Sequence, residues 1–306
     1  MMQTLISDKI FRERMRHRST RLPSARKECT AGGEVGVSDN GERRGAAVRA
    51  SKPRLFAILI CAATGSVAPW FAQNAGRLPT VNEVLERHVE ATGGREALLR
   101  HKSMTVHGRY EDPAQKADYE TVFYTKDGKM LLKVELGGGK QYQTGYDGET
   151  AWVLHPDGKV DIAEGDMVKT VARDADMYYH LHVLNYFKSM EVVDVKEFNG
   201  RPCYHLKGIN NWDKVNEQFY DKENGLLMGY AFNTAWRGGK GDATDTFEEY
   251  KDFGGVRMAA KTTSRDGDDL TISLITAVTY DDVKDEVFAL PKAVKAAVAE
   301  KKGHTQ

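Results

Sequence analysis

Short segments in which apolar and polar residues alternate dominate the chain from residue 103 onward. Met130, Leu132, Val134 and Leu136 alternate with Lys133 and Glu135, and residues 270–280 show the longest such alternation. A period of two residues predicts half-buried β-strands. Asp-Gly or Asn-Gly pairs, which favour tight turns, separate many of these segments, at 127–128, 147–148, 157–158, 199–200 and 224–225. The pattern predicts a mainly β (α+β) domain with about ten or eleven antiparallel strands.

A single twisted sheet of that size has to curl or to close. A transmembrane barrel fits the pattern poorly, because its strands need about 9–11 residues with an apolar face toward lipid. Most of the predicted strands are shorter and polar on one side. A curved sheet outside the membrane is therefore the expected architecture.

Helical spacing replaces the alternation in two regions. Thr80 and Glu83 form a capping box in front of the apolar positions Val84, Leu85 and Val89, which predicts a helix ending at Gly93-Gly94 and a second short helix over 95–101. Residues 164–190 also show helical spacing without turn residues. Their apolar and aromatic content is high for a surface helix, so this insertion is expected to cover something.

The N-terminal region differs from the rest. Residues 1–54 show no periodicity, and basic residues at 49–54 precede an apolar run at 55–71. We interpret residues 55–75 as a secretory signal peptide, with an uncleaved membrane anchor as the alternative. Residues 1–54 are expected to be disordered or wrongly assigned to the protein, with translation starting near Val48.

Charge argues against a nucleic-acid partner. Residues 1–54 hold 13 of the 44 basic and 6 of the 44 acidic residues, and residues 55–75 hold none, so the part that follows has a net charge of −7. Nucleic-acid binding needs a basic face. Only Cys203 of the three cysteines lies in that part, and it is expected to be a buried structural residue.

Candidate catalytic groups are few. The chain lacks the Gly-x-Ser-x-Gly, His-Glu-x-x-His and Cys-x-x-Cys motifs. His180 and His182 are two positions apart in a helical pattern, so they point in different directions and a shared metal is not expected. Asp266, Asp268 and Asp269 crowd one turn, which we interpret as a solvated turn rather than a calcium site. We expect no catalytic residue, no metal and no cofactor.

Aromatic residues are numerous for a half-exposed sheet. A curved sheet capped by an apolar helix has a concave face that its own side chains need not fill, and such a face suits acyl chains. The expected lining of this hydrophobic cavity and lid is Met104, Val106, Phe123, Leu132, Val134, Trp152, Tyr178, Leu181, Leu184, Phe187, Phe219, Ile272 and Leu274.

Several segments, taken in order, resemble a known family. They are 84–98 (VLERHVEATGGREAL), 146–152 (YDGETAW), 198–204 (FNGRPCY), 219–227 (FYDKENGLL), 250–256 (YKDFGGV) and 288–291 (FALP). The chain from Thr80 to Pro291 is similar to the outer-membrane lipoprotein-sorting (LolA/LolB-like) superfamily. The resemblance implies an unclosed antiparallel half-barrel with helices as a lid, a cavity for lipid or lipoprotein acyl chains, a periplasmic location, and neither enzyme activity nor a cofactor.

These observations predict a domain over residues 76–291, followed by a C-terminal tail over 292–306 that is either a short helix or frayed. The expected function is that of a periplasmic carrier, a monomer that shelters a hydrophobic ligand. Two alternatives stay open. One is an envelope sensor or protein-interaction module on the same fold. The other is a hydrolase with an unrecognised site at His180, His182 or the 266–269 turn.

Overall fold

Residues 77–303 are described by the computed structural model of this protein. From Leu78 onward they belong to one structural unit. The predicted lead at 1–54 and the predicted signal peptide at 55–75 lie outside the described residues.

Five α-helices are formed by the described residues: α1 (Val81–Ala91), α2 (Gly94–Arg100), α3 (Asp166–Ala175), α4 (Tyr179–His182) and α5 (Lys292–Gly303). The strands are β1 (Ser103–Asp112), β2 (Ala117–Lys126), β3 (Lys129–Glu135), β4 (Gln141–Tyr146), β5 (Ala151–Leu154), β6 (Val160–Ile162), β7 (Phe187–Phe198), β8 (Arg201–Asn210), β9 (Val215–Asp221), β10 (Leu227–Asn233), β11 (Asp242–Phe253), β12 (Val256–Asp266) and β13 (Asp269–Tyr280). Short 3-10 turns occupy Val183–Tyr186, Ala235–Arg237 and Asp285–Phe288.

All 13 strands join one antiparallel sheet in the order β6-β5-β4-β3-β2-β1-β13-β12-β11-β10-β9-β8-β7. The first strand pairs with the last in the middle of the sheet, and every other pairing joins neighbours along the chain. The sheet is not closed, because β6 and β7 are its two edges. The predicted fold class is confirmed.

The two edge strands are consecutive in sequence, which explains the helical insertion. The chain leaves the sheet at Ile162 on one edge and returns at Phe187 on the other. The connection, which holds α3 and α4, therefore has to span the sheet from edge to edge. The apolar residues of this connection pack against the sheet and α1. Val171 and Ala175 pack with Phe123 and Leu132, and Tyr179 and Val183 pack with residues of α1 and β8–β11.

The helical insertion ends earlier than the sequence predicts. Helical spacing was expected to continue to about residue 190, but β7 begins at Phe187, which pairs with Asn210 of β8. Phe187 and Met190 then pack against the cluster that contains Leu206 and Tyr220. Pairing with a neighbouring strand thus overrides the local helical pattern here.

The outer face of the sheet carries a separate cluster. Trp152 lies flat against Gly145 of the neighbouring strand, where an added Cβ would come 2.5 Å from the indole ring. Trp152 packs together with Leu131, Phe288 and Val294. Val294 belongs to α5 and is fully buried, so the C-terminal segment is a helix docked on the sheet.

Helix α1 begins with the expected capping box. The backbone N–H of Glu83 donates to the Thr80 hydroxyl, and the backbone N–H of Thr80 donates to the Glu83 carboxylate at 2.6 Å. The buried face of the helix consists of Val84, Leu85, His88 and Val89.

Replacing Thr80 by Ala is expected to lower the free energy of unfolding by about 1 kcal/mol, because a helix N–H loses its acceptor. Thr80→Ser, which keeps the hydroxyl, should stay close to the unsubstituted protein. Urea unfolding followed by tryptophan fluorescence measures both. Equal losses in the two variants would show that the cap contributes nothing.

Candidate functional site

A cavity of about 130 Å³ lies between the sheet and the helices. Its apolar lining includes Met104, Val106, Phe123, Phe247, Met258 and Ile275 from the sheet, and Leu98 and Met177 from the helical segments. Its polar lining is formed by His88, Thr92, His101, His180, Arg257 and the tyrosines 179, 230, 250 and 280. Apolar walls with convergent polar groups are typical of a small-molecule binding site.

Strand pairing places the apolar side chains of this lining. Val106 of β1 stands opposite Phe123 of β2, and Phe123 stands opposite Leu132 of β3. Directly paired residues share one face of a sheet, so these side chains form a continuous row that faces the helices. Phe123 and Leu132 are buried almost completely.

A bulge between β1 and β13 changes which side chains of β13 face the cavity. His107 pairs with Ala277, but the next residue, Gly108, pairs with Ile275, so Thr276 is left over. Ile275 and Tyr280 consequently both line the cavity although they are five positions apart. Simple alternation along this strand would place them on opposite faces.

Glycine lets the helices approach the sheet closely. Gly93, between α1 and α2, has φ +116°, and a Cβ there would come 2.2 Å from the carbonyl oxygen of Gly255. The backbone N–H of Arg257 donates to the carbonyl of Thr92 at 2.9 Å beside this contact. The Gly93-Gly94 pair of the sequence thus ends α1 and also seats both helices on β12.

A histidine pair bridges α1 and α4. Nδ1 of His88 lies 3.2 Å from the carbonyl oxygen of Gly225, and Nε2 of His88 lies 3.0 Å from Nδ1 of His180. A carbonyl only accepts hydrogen bonds, so His88 carries its proton on Nδ1, its Nε2 accepts, and His180 donates from Nδ1. Burial lowers the pKa of His88 to about 4, opposed in part by the bond to Gly225. Burial and the neighbouring His88 lower the pKa of His180 well below its usual value.

A third histidine lines the cavity near the start of β1. The imidazole of His101 stacks on Tyr280 with ring centres 3.8 Å apart, and its Nδ1 lies 3.0 Å from the Asp281 carboxylate. The hydroxyl of Tyr178 donates to the backbone carbonyl of His101 at 2.6 Å. The helical insertion is therefore tied to α1 through His180 and to the segment before β1 through Tyr178.

The structure places the predicted lining residues in three groups. Met104, Val106 and Phe123 line the cavity. Leu132 and Val134 belong to the same apolar cluster, Leu181 packs with α1 and α2, and Tyr178 binds His101. The third group lies outside the cavity lining and consists of Trp152, Leu184, Phe187, Phe219, Ile272 and Leu274.

The reasons for the third group differ. Trp152 is part of the outer cluster, and Phe219 stacks on Phe198 and His205. Leu184 is 44% exposed. Ile272 and Leu274 lie on the opposite face of β13 from Ile275. Leu274 pairs with Arg109 of β1 and with Lys261 of β12, and both of these side chains lie on the outer face of the sheet.

The other candidate polar groups of the sequence are used for structure. His180 binds His88, whereas His182 binds Asp176 at 2.8 Å. The Asp266 carboxylate accepts from the Thr234 hydroxyl and the Lys240 backbone, and Asp269 forms an ion pair with Lys240. Within residues 77–303, no group of three or more His, Cys, Asp or Glu side chains is arranged to hold a metal ion.

Sequence reasoning missed His88, His101 and Arg257 as lining residues. A signal existed for His88, because it lies at helical spacing among Val84, Leu85 and Val89 and hence on the buried face of α1. No comparable signal exists for His101, whose partner Asp281 is 180 positions away.

Comparison with known proteins shows similarity in fold. No protein-family model matches the chain, and no curated protein matches it. A DUF1329 family protein from Desulfovibrio piger superimposes with a TM-score of 0.50 at 13% identity, over 68% of this chain and 97% of that one. A LolA superfamily protein from Nitrosomonas europaea gives a TM-score of 0.49 at 13% identity, over 70% and 99%. An outer membrane lipoprotein-sorting domain from Vibrio parahaemolyticus gives 0.47 at 11% identity, over 67% and 94%.

At sequence identities of 11–13%, these matches concern a similarity of fold alone. The likeness to the Desulfovibrio piger protein, with a TM-score of 0.50 at 13% identity, shows a similar fold. Among the described residues, no helix has both the length and the apolar character needed to span a membrane.

Proposed function

We propose that this protein is a periplasmic carrier that shelters a hydrophobic ligand between its sheet and its helices. The observation that carries the proposal is the cavity, whose walls are mainly apolar and whose position lies under a helical segment that joins the two sheet edges. The basic and apolar segments at 49–71 support export from the cytoplasm. The cargo we propose is a lipid or a lipoprotein acyl chain.

The size of the cavity sets how much ligand fits without movement. A cavity of about 150 Å³ admits one benzene molecule, so the 130 Å³ cavity holds roughly six carbon atoms. Burying six methylene groups contributes about 5 kcal/mol before the costs of binding. A complete acyl chain therefore requires the segment that holds α3 and α4 to move away from the sheet.

Opening of that segment breaks hydrogen bonds and exposes buried apolar side chains. The segment is held to α1 by the His88–His180 bond and to the segment before β1 by the Tyr178–His101 bond. Each neutral hydrogen bond contributes only about 0.5–1.5 kcal/mol. The larger cost of opening is the exposure of Val171, Ala175, Tyr179 and Val183. A bound acyl chain therefore has to cover these side chains in place of the sheet and α1.

The cargo can be tested directly. The full chain would be exported to a bacterial periplasm and purified without detergent, and an organic extract would be analysed by mass spectrometry. We expect a lipid or acyl species in stoichiometric amount. A clean extract from folded protein would contradict the carrier function.

Filling the cavity provides a second test. Ala259 lines the cavity, and Ala259→Phe adds a ring about as large as the space present. We expect the affinity for an apolar fluorescent probe to fall at least about tenfold, the equivalent of about 1.4 kcal/mol, with little loss of stability. Ala277→Phe is the matched control, since Ala277 is exposed on β13. Unchanged probe binding by Ala259→Phe would place the ligand elsewhere.

A protein-interaction module is the second candidate. Edge strand β7 carries two exposed apolar side chains, Val193 and Val195, and an unpaired strand edge can accept a further strand from a partner. A clean lipid extract together with a protein that is cross-linked through β7 in cells would favour this candidate.

A further inference from the structure

Within the described residues, the cavity lining contains one buried imidazole nitrogen without a partner. Nε2 of His101 is buried and has no hydrogen-bond partner in the part of the chain that the structure describes. The Asp281 carboxylate accepts at Nδ1 of His101, which places the proton of the neutral ring on Nδ1. Nε2 of His101 is then a hydrogen-bond acceptor.

Nε2 of His180 is also a hydrogen-bond acceptor, for a different reason. Its Nδ1 donates to His88, because His88 must keep its own proton for the Gly225 carbonyl. Nε2 of neutral His180 is therefore also an acceptor. Both histidines line the cavity.

Three hydroxyl donors of the lining are already used within the protein. Tyr250 donates to the carbonyl of Leu227 at 2.6 Å, and Tyr280 donates to the carbonyl of Phe253 at 3.0 Å. Thr92 donates to carbonyls of its own helix. These three hydroxyl donors are therefore engaged, whereas Nε2 of His101 is a buried acceptor without a partner among the described residues.

We propose that the ligand is an uncharged hydrophobic compound whose polar group, in the simplest case an alcohol, donates a hydrogen bond to Nε2 of His101. This rests on the carrier function proposed above. A hydroxyl proton would satisfy a buried acceptor that otherwise costs about 1–3 kcal/mol. A carboxylate has no proton to donate and would face two lone pairs in an apolar space, which disfavours its burial.

An anionic head group makes a competing prediction. Arg257 lines the cavity with an exposed side chain, and its guanidinium has no ion pair within the described residues. An anion would be attracted there rather than to the histidines. The two ligand classes therefore depend on different residues.

Three ligands with matched apolar chains separate these classes: octanol, heptyl methyl ether and octanoate. The ether keeps the oxygen but has no proton to donate. We would measure displacement of an uncharged fluorescent probe from the full-length protein at pH 8. Octanol is expected to bind about 3–10-fold more tightly than the ether, the range of one net hydrogen bond, and at least about tenfold more tightly than octanoate.

Variants assign the preference to its residues. His101→Phe should bring octanol and the ether within about twofold of each other, while His107→Phe, which changes an exposed histidine of β1, should leave the preference intact. The comparison of ligands in the unsubstituted protein needs no variant. It therefore tests the proposal even if His101→Phe misfolds.

The outcomes are distinct. Equal affinities for all three ligands would overturn the donor preference and leave the carrier function standing. Tightest binding of octanoate, lost in Arg257→Met, would overturn it in favour of an anionic ligand. Displacement by none of the three would overturn the carrier function itself.

Discussion

Asp174→Ala is expected to lower the free energy of unfolding by about 3–5 kcal/mol, the cost of leaving a buried charge without its partner. Asp174 is 2% exposed and its carboxylate accepts from Nε and Nη2 of Arg173 at 3.0 and 2.7 Å. The guanidinium also lies over the ring of Trp212, 5.7 Å from its centre. Burial lowers the pKa of Arg173 and Asp174 raises it. A guanidinium is not deprotonated in proteins, so the arginine stays charged when its partner is removed.

The double variant Arg173→Met/Asp174→Ala provides the control. Without either charge the site is apolar, so the double variant should be more stable than Asp174→Ala alone. Urea unfolding at pH 7 gives the free energies. A loss below about 1 kcal/mol in Asp174→Ala would show that water reaches Arg173 and replaces the carboxylate.

Stability is expected to fall by about 3 kcal/mol between pH 7 and pH 4 on account of His88. Its pKa is lowered to about 4 in the folded protein, mainly by burial, whereas an unfolded histidine has a pKa of about 6.5. Between these values the unfolded chain binds more protons than the folded one, so stability rises with pH across this window. It reaches its full value above about pH 6.5, and below about pH 4 this residue causes no further loss.

His180 changes stability in the same direction, because its pKa is also lowered by burial and by His88. Nuclear magnetic resonance titration of the imidazole protons measures the pKa of His88 directly, with the exposed His107 as internal control. Urea unfolding between pH 4 and pH 7 supplies the stability. A His88 that titrates near 6.5 would show that water enters the histidine pair and would remove the predicted slope.

Local patterns were enough for the secondary structure of most of the domain. The alternation at Met130–Leu136 became β3, and the capping box at Thr80 and Glu83 begins α1. Both depend only on residues a few positions apart, which is why they can be recognised from sequence. The helical insertion was recognised for the same reason, although its end at Tyr186 was set by pairing between Phe187 and Asn210.

The candidate site depends on contacts between distant residues. His88 and His180 are 92 positions apart, and His101 and Asp281 are 180 positions apart. Neither pair has a motif, because each partner is contributed by a different element. The sequence drew attention to His180 and His182 together, yet His182 binds Asp176 and only His180 lines the cavity.

The sequence by itself determined a mainly β antiparallel domain with a helical insertion, because periodicity, turn chemistry and capping act over a few residues; the unclosed sheet was implied by the resemblance to a known superfamily. Only the tertiary structure decided which side chains meet in the cavity. The bulge at Thr276 reverses the alternation of β13, so Ile275 faces the helices while Ile272 and Leu274 do not. Register and bulges are set by pairing with the neighbouring strand, and a shift of one residue moves a side chain from the cavity to the outer face.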